Sequence, residues 1–301
     1  MKEYVLSCCS PADLTTEWVA RRDISFIPFN INVDGTAYKD DMGETIQPAD
    51  LFQRMLAGAD VKTSQVAVGE YVDYFRGFLK NGRDLLHVTL SSGISGTFNS
   101  AVLAADMIKE EFPGRKIYVI DSLCASSGYG LFMDLMADKR DEGMDIDQLY
   151  AWGMENRFKL QHWFYTTDLR FFIRGGRISK TAGAIGQVLG ICPLLNVDYE
   201  GKLVPREKIR TKKRVRKRVL DVIEDHALNG KDYNGKCFIS HSDEEEARIV
   251  ADLIAERFPN LSGKPEIFPI GVTIGCHTGP GTLAIFFLGG DRKLEEEQHK
   301  D

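Results

Sequence analysis

The sequence predicts an α/β protein with parallel strands in its first half. Three observations carry this expectation. Short apolar runs alternate with helix-period segments along most of the chain. Strand, Gly/Ser turn and helix recur twice in the first half, the pattern of parallel strands that gather ligands at their carboxyl ends. A chain of 301 residues, 43% of them hydrophobic, also buries roughly 75% of its unfolded surface without needing disulfide or metal staples.

The elements follow in order. Tyr4 to Leu6 reads as a first strand and Asp13 to Arg21 as a helix. Ile24 to Val33 alternates as one strand ending at Asp34-Gly35, a hairpin-type turn. Pro48 suits the first position of a helix that sets Leu51, Phe52, Met55 and Leu56 on one face. Leu85 to Leu90 is a buried strand closed by Ser91-Ser92-Gly93. A helix carrying Ala101, Val102, Ala105, Met107 and Ile108 follows, then a strand from Lys116 to Ile120 closed by Asp121-Ser122. Charged helical sequence between Asp141 and Phe158 marks a boundary, giving an N-terminal domain of residues 1–157, a C-terminal domain of 158–290 and a charged tail of 291–301. The second half opens with a strand at His162 to Thr166. A helix, the Arg174-Gly175-Gly176-Arg177 turn, a small-residue helix to Leu189 and a hairpin around Glu200-Gly201 come next. A long basic helix spans Thr211 to Ala227. Strands at Cys237–Ser240, Glu266–Ile270 and Leu283–Leu288 flank an acidic helix starting near Asp243, and the tail from Arg292 is expected to fray.

The net charge of −6 and pI near 5.6 exclude a globally basic nucleic-acid binder. No apolar run reaches the ~18–20 residues of a membrane span. Ser7, Cys8, Cys9, Ser10, Asp13 and Glu17 interrupt the apolar core that a signal peptide needs. Six cysteines without a CxxC pair or a Cys/His zinc spacing fit a reducing, cytoplasmic setting and no metal site.

Four segments concentrate hydroxyls, glycines and one histidine: Lys62-Thr63-Ser64-Gln65, Ser91 to Thr97, Arg174 to Arg177, and His277-Thr278-Gly279-Pro280-Gly281. Each presents donors suited to an oxyanion. Ser95 and Thr97 would open a helix, where backbone N–H groups favour an anion, although Ser95 also reads as a plain N-cap and the double glycine as a helix C-cap. No P-loop is present, and Gly93-Ile94-Ser95-Gly96 falls one residue short of a nucleophile elbow.

Taken in register, these motifs resemble those of DegV-like fatty-acid-binding proteins over nearly the whole chain. Thr63-Ser64-Gln65 meets the family's Thr-Ser-Gln-Pro run with Val66 in place of proline, and Ser91 through Phe98 meets its Ser-Ser-Gly-Leu-Ser-Gly-Thr-Tyr run. Val119 to Ser122, Gly175 to Ile178, Gly190 to Leu195 and Cys276 to Gly281 match in spacing. The departure is Cys8-Cys9-Ser10, where the family usually reads Thr-Asp-Ser. The resemblance implies a DegV-like two-domain α/β fold, with a mostly parallel α/β/α sheet in the N-terminal domain and a mixed sheet in a smaller C-terminal α/β domain. It implies a carrier rather than an autonomous enzyme, with no cofactor or metal. It implies one long-chain fatty acid held in an internal tunnel and presented to an ATP-dependent fatty acid kinase, whose acyl-phosphate product feeds phospholipid synthesis. Carried over by motif, Thr63, Ser64, Ser95, Thr97, Arg177 and His277 would form the head-group site. Phe26, Phe29, Ile94, Phe98, Phe132, Ile185, Leu189 and Phe286 are apolar candidates for the lining or for ordinary core.

Arg206 to Arg218 holds nine Lys or Arg in thirteen residues. Val215, Val219, Val222, Ile223 and His226 share one helical face, which turns the charges to solvent. Arg206, Arg210, Lys213, Arg214 and Lys217 are candidate docking residues for an acidic kinase partner; a solvated face, an anionic membrane surface or RNA are the other readings. The competing function is a serine hydrolase acting on acyl esters, with Ser95 as nucleophile and His277 as base.

Overall fold

In the structure, a computed structural model describing residues 4–179 and 190–298, helices and strands alternate through the first half. They are β1 (Tyr4–Cys9), α1 (Thr16–Arg21), β2 (Ile24–Ile27), β3 (Asn30–Val33), β4 (Thr36–Lys39), α2 (Pro48–Leu56), β5 (Val61–Ser64), α3 (Val68–Leu79), β6 (Asp84–Thr89), α4 (Thr97–Lys109), β7 (Ile117–Asp121), α5 (Ser126–Asp141) and α6 (Ile146–Asn156). A parallel sheet has the order β2-β1-β6-β7. All six residues of β1 are buried, as both-face coverage by helices requires.

The second half comprises β8 (Leu160–Thr166), α7 (Arg170–Arg174), β9 (Ile191–Val197), β10 (Leu203–Arg210), α8 (Lys212–His226), β11 (Cys237–His241), α9 (Glu244–Arg257), β12 (Glu266–Pro269), α10 (Val272–Thr278), β13 (Thr282–Leu288) and α11 (Arg292–Gln298). Its six-stranded mixed sheet has the order β10-β9-β8-β13-β11-β12, in which only the β11–β12 pair is parallel. The largest apolar core joins residues of β1, β6 and α5 to Phe164, Leu195 and Phe286 of the mixed sheet. The expected α/β class, parallel sheet and mixed sheet are therefore present; the small-residue helix expected up to Leu189 lies outside the described residues.

Two local expectations for the first half change. Ile24–Val33 is two strands, because Pro28 has no N–H to continue a ladder; β3 leaves the parallel sheet and pairs with β4 and β5 in a separate antiparallel sheet. The first helix begins at Thr16 rather than Asp13, with Thr15 Oγ1 accepting from Trp18 N at 3.1 Å; Asp13, at φ +47°, ends a short 3₁₀ turn instead. The glycines at the start of α5 allow two other segments to approach it closely: a Cβ at Gly130 would lie 2.6 Å from Ala12 O, and one at Gly128 would strike His162.

The tail is pinned at its start, where fraying was expected; residues 299–301 lie outside the described residues. Arg292 is 2% exposed and donates to the carbonyls of Leu123, Arg157, Phe158, Val197 and Asp198 at 2.8–3.3 Å. Five acceptors satisfy a guanidinium with five N–H donors, so burial of this charge is compensated hydrogen bond by hydrogen bond.

Candidate functional site

A cavity of about 630 Å³ lies between the carboxyl end of the parallel sheet, the small β3–β5 sheet and one face of the mixed sheet. Its floor follows from strand periodicity. β8 and β13 pair antiparallel with Thr166 opposite Thr282, Phe164 opposite Ala284 and His162 opposite Phe286. Alternate residues share a face, so His162, Phe164, Thr282, Ala284 and Phe286 all line the space, with Phe29, Leu90, Phe172 and Ile270 among the apolar walls.

One end is polar. Thr63 sits on β5, opposite Ile31 of β3, and its Oγ1 lies 2.8 Å from His277 Nε2. His277 lies in the last turn of α10, before the sharp turn at Gly279 (φ +63°); a side chain at Gly279 would be strained and would strike the Phe171 ring. Gly175 abuts the imidazole, since a Cβ there would lie 2.5 Å from Nδ1. Burial first, and the Arg177 charge second, push the His277 pKa down to about 4, so the ring is neutral near pH 7. Its Nδ1 has no hydrogen-bond partner among the described residues.

Ser95 follows β6 in the turn that opens α4, and its Oγ accepts from Thr97 N at 3.2 Å. The N-cap of α4 is Gly96, so Ser95 is not the cap the sequence suggested but the residue before it, with its oxygen on the first amide of the helix. Arg177 is half-buried and donates from Nε to Ile94 O at 3.3 Å and from Nη1 to Gly175 O at 2.5 Å, tying the double-glycine turn to the serine-rich loop. Burial lowers its pKa from the usual arginine value.

Thr63, Ser64, Ser95, Arg177 and His277 therefore line one cavity. Thr97 does not. Its fully buried side chain turns to the parallel-sheet side, where Oγ1 meets Tyr71 Oη at 2.7 Å. There it joins a buried network in which Cys9 Sγ lies 3.1 Å from Tyr71 Oη and 3.6 Å from His87 Nε2. Burial pushes the Cys9 thiol up to about 11 and His87 down to about 3, so neither carries charge at neutral pH. The replacement of the family's usual acid by Cys9 thus bears on this core network, apart from the cavity. Of the apolar candidates, Phe29, Ile94 and Phe286 line the cavity and Phe26, Phe98 and Phe132 do not; Ile185 and Leu189 lie outside the described residues. Sequence reasoning passed over Ser126, His162 and Thr273 as cavity-lining residues and named Gln65, which also lines the cavity, only within its motif. Strand alternation with Phe164 and Thr166 was the signal available for His162.

The geometry bears on the hydrolase reading. His277 Nε2 is engaged by Thr63, Ser95 Oγ is engaged by the Thr97 amide, and no carboxylate orients Nδ1 among the described residues. A nucleophile needs its base within hydrogen-bond reach and that base oriented by a third group; here the base is committed to a different hydroxyl.

On the outer face, α8 buries Val215, Val219, Val222 and Ile223, and Arg206, Arg210, Lys213, Arg214 and Lys217 are exposed. Arg206 pairs with Glu296 at 2.5 Å. Arg216 and Arg218 are taken up by Glu246, Glu207 and Asp225. Arg210, Lys213, Arg214 and Lys217 make no ion pair among the described residues, leaving a strip of uncompensated positive charge. No helix of the described residues is long and apolar enough to cross a membrane.

Comparison with known proteins places this geometry. A family model described as "Uncharacterised protein, DegV family" matches residues 10–289. A DegV domain-containing protein of Clostridium perfringens is 35% identical over 97% of this chain and 100% of its own length. Among solved structures, a DegV family protein from Thermus thermophilus described for its fatty acid binding is 26% identical, with a TM-score of 0.84 over 96% of this chain and 100% of that one. A stearic-acid-binding protein from Eubacterium ventriosum is also 26% identical, with a TM-score of 0.83 over 97% of this chain and 99% of the other. Family model, full-length relative and shared architecture agree, and the chain belongs to the DegV family.

Proposed function

We propose that this protein carries one long-chain fatty acid in its cavity, with the carboxylate at Thr63, Ser64, Ser95, Arg177 and His277, and presents it to an ATP-dependent fatty acid kinase in the cytoplasm for acyl-phosphate formation and phospholipid synthesis. The observation that carries the reading is a cavity that joins apolar walls and floor to a cluster of hydroxyl, imidazole and guanidinium groups at Thr63, Ser64, Ser95, Arg177 and His277. Burying a methylene gains about 0.8 kcal/mol, so a sixteen-carbon chain gains on the order of 12 kcal/mol before entropy is deducted. The donors then satisfy a carboxylate that would otherwise be prohibitively costly to bury. The fatty acid binding of the Thermus relative and the stearic acid binding of the Eubacterium relative support the same ligand class.

The Thr63–His277 bond makes a testable statement about the head-group end. With His277 Nε2–H donating to Thr63 Oγ1, the Thr63 hydroxyl hydrogen is free for the ligand, so the two residues act as a unit. Thr63→Ala and Ser95→Ala should each weaken fatty acid binding by about 10- to 100-fold, the cost of roughly 1–3 kcal/mol for an acceptor short of a donor. His277→Ala should slow acyl-phosphate formation with added kinase. Calorimetric titration of Thr63→Ala, His277→Ala and the double variant should show coupling of about 0.5–3 kcal/mol. Strict additivity would mean that the pair does not share the carboxylate.

The kinase partner is read from the basic strip. Reversing Arg210, Lys213 and Arg214 to Glu should abolish kinase-dependent phosphorylation while fatty acid occupancy stays intact, since none of the three lines the cavity. Normal turnover by that variant would return the strip to a solvated face.

A further inference from the structure

We infer that Gln65 is a positioning residue for the head-group site: its carboxamide, tied to Ser100 and seated on Gly96, sets the spacing between Thr63 and Ser95. The inference rests on the fatty-acid reading and deepens it, adding a residue that acts through the two hydroxyls.

The donors belong to two separately packed bodies. Thr63 stands on β5, paired with β3. Ile31 and Val33 of β3 pack with Leu51, Phe52, Val272 and Cys276 in an apolar cluster apart from the largest core. His277 follows Cys276 and bonds Thr63 at 2.8 Å, so these two donors are held as one unit. Ser95 belongs to the other body. It lies in the turn between β6 and α4, whose Leu86, Val88, Ala101 and Ala104 are part of the largest core. A carboxylate that bridges Thr63 and Ser95 therefore spans a seam. Hydrogen bonds weaken steeply away from their preferred geometry, so the spacing across that seam has to be fixed.

Gln65 crosses it. This residue lies two positions past Thr63 and lines the cavity. Its Nε2 donates to Ser100 Oγ at 2.9 Å. Ser100, in the first turn of α4, is buried and does not line the cavity. Its hydroxyl can reach a bound ligand's surroundings only through Gln65.

Gly96 supplies an independent observation. It is the N-cap of α4 and makes no side-chain cap bond, although Ser, Asn or Asp would cap the helix at least as well. Its φ of −79° is one that any residue adopts, so backbone freedom does not call for glycine here. Space does: a Cβ at this position would lie 2.7 Å from Gln65 Oε1. The carboxamide is thus held by a hydroxyl through its nitrogen and rests on bare backbone beside its oxygen. Arg177, next to the Gly175-Gly176 pair that abuts His277, makes a second tie across the seam through Ile94 O. Together the two ties bring Thr63 and Ser95 to one carboxylate.

The test uses delipidated full-length protein and two ligands of equal chain length, stearic acid and 1-octadecanol. The alcohol offers one oxygen where the carboxylate offers two, so the spacing of two donors matters little to it. In calorimetric titrations Gln65→Ala and Ser100→Ala should each weaken stearic acid by roughly 3- to 10-fold and change 1-octadecanol by less than about twofold. Ser100→Thr, which keeps the hydroxyl, should bind stearic acid as the unmodified protein does. Gly96→Ala, which pushes on the carboxamide, should cost as much as Gln65→Ala and add nothing once Gln65 is alanine; Ser100→Ala should likewise add nothing there. Unchanged stearic acid binding by Ser100→Ala overturns the inference. So does an equal loss for acid and alcohol, which would mark a general loosening of the cavity, or strict additivity of Gln65→Ala and Ser100→Ala. If stearic acid does not bind the unmodified protein, the carrier reading fails and this inference with it; if it binds and the variants match the unmodified protein, only the role of Gln65 fails.

Discussion

Ala284→Trp will nearly abolish binding of sixteen- and eighteen-carbon acids. Ala284 lies on β13 at the middle rung of the cavity floor, opposite Phe164 and between Thr282 and Phe286. An indole projected from this position would fill open cavity without displacing core side chains, so the fold should tolerate it. It would deny the ligand the space beyond the middle rung. Excluding about eight methylenes forfeits on the order of 6 kcal/mol, or about 10⁴-fold in affinity. Acids short enough to end before that rung should bind much as they do to the unmodified protein. Titration with a chain-length series, with circular dichroism to confirm the fold, checks both halves. Undiminished affinity for stearic acid would mean that the alkyl chain does not occupy this cavity.

The second large effect concerns Arg292. Arg292→Met should destabilise the protein by about 3–5 kcal/mol, because it leaves five inward-facing carbonyls without their donor. The melting temperature should fall by roughly 10 °C, and truncation before Arg292 should do the same. The five carbonyls belong to the segment after β7, the approach to β8 and the end of β9, so this side chain holds together pieces distant in sequence. Val197, one of the acceptor residues, also lines the cavity. A melting temperature unchanged to within about 2 °C would show that the tail is dispensable.

These two residues illustrate what could be read from the chain alone. The parallel sheet was legible because buried strands such as Leu85–Leu90 are unbroken apolar runs, and the hairpin at Glu200-Gly201 because a turn dipeptide interrupts alternation. Thr63, Ser64, Ser95, Arg177 and His277 were found because local motifs, matched in register, carry them. Thr97 lay in the same motif and still points away from the cavity: it is the first residue of α4, and its side chain leaves on the opposite side from Ser95. Arg292 was misread because a charged residue near the tail looks solvated until its long-range carbonyl partners are known. Ile24–Val33 was misread because apolar alternation outweighed Pro28, although the proline alone marks where the chain leaves one sheet for another. His162 was passed over because strand alternation puts it on the face of Phe164 and Thr166 without saying what that face meets; the pairing of β8 with β13 places it on the cavity floor.

The central claim is that the cavity holds a long-chain fatty acid, and native mass spectrometry of freshly purified protein tests it most directly. The account predicts a one-to-one complex whose extra mass is lost on denaturation and is recovered in the organic extract as a long-chain fatty acid. Protein that arrives empty, and that gains no mass when stearic acid is added, would contradict it.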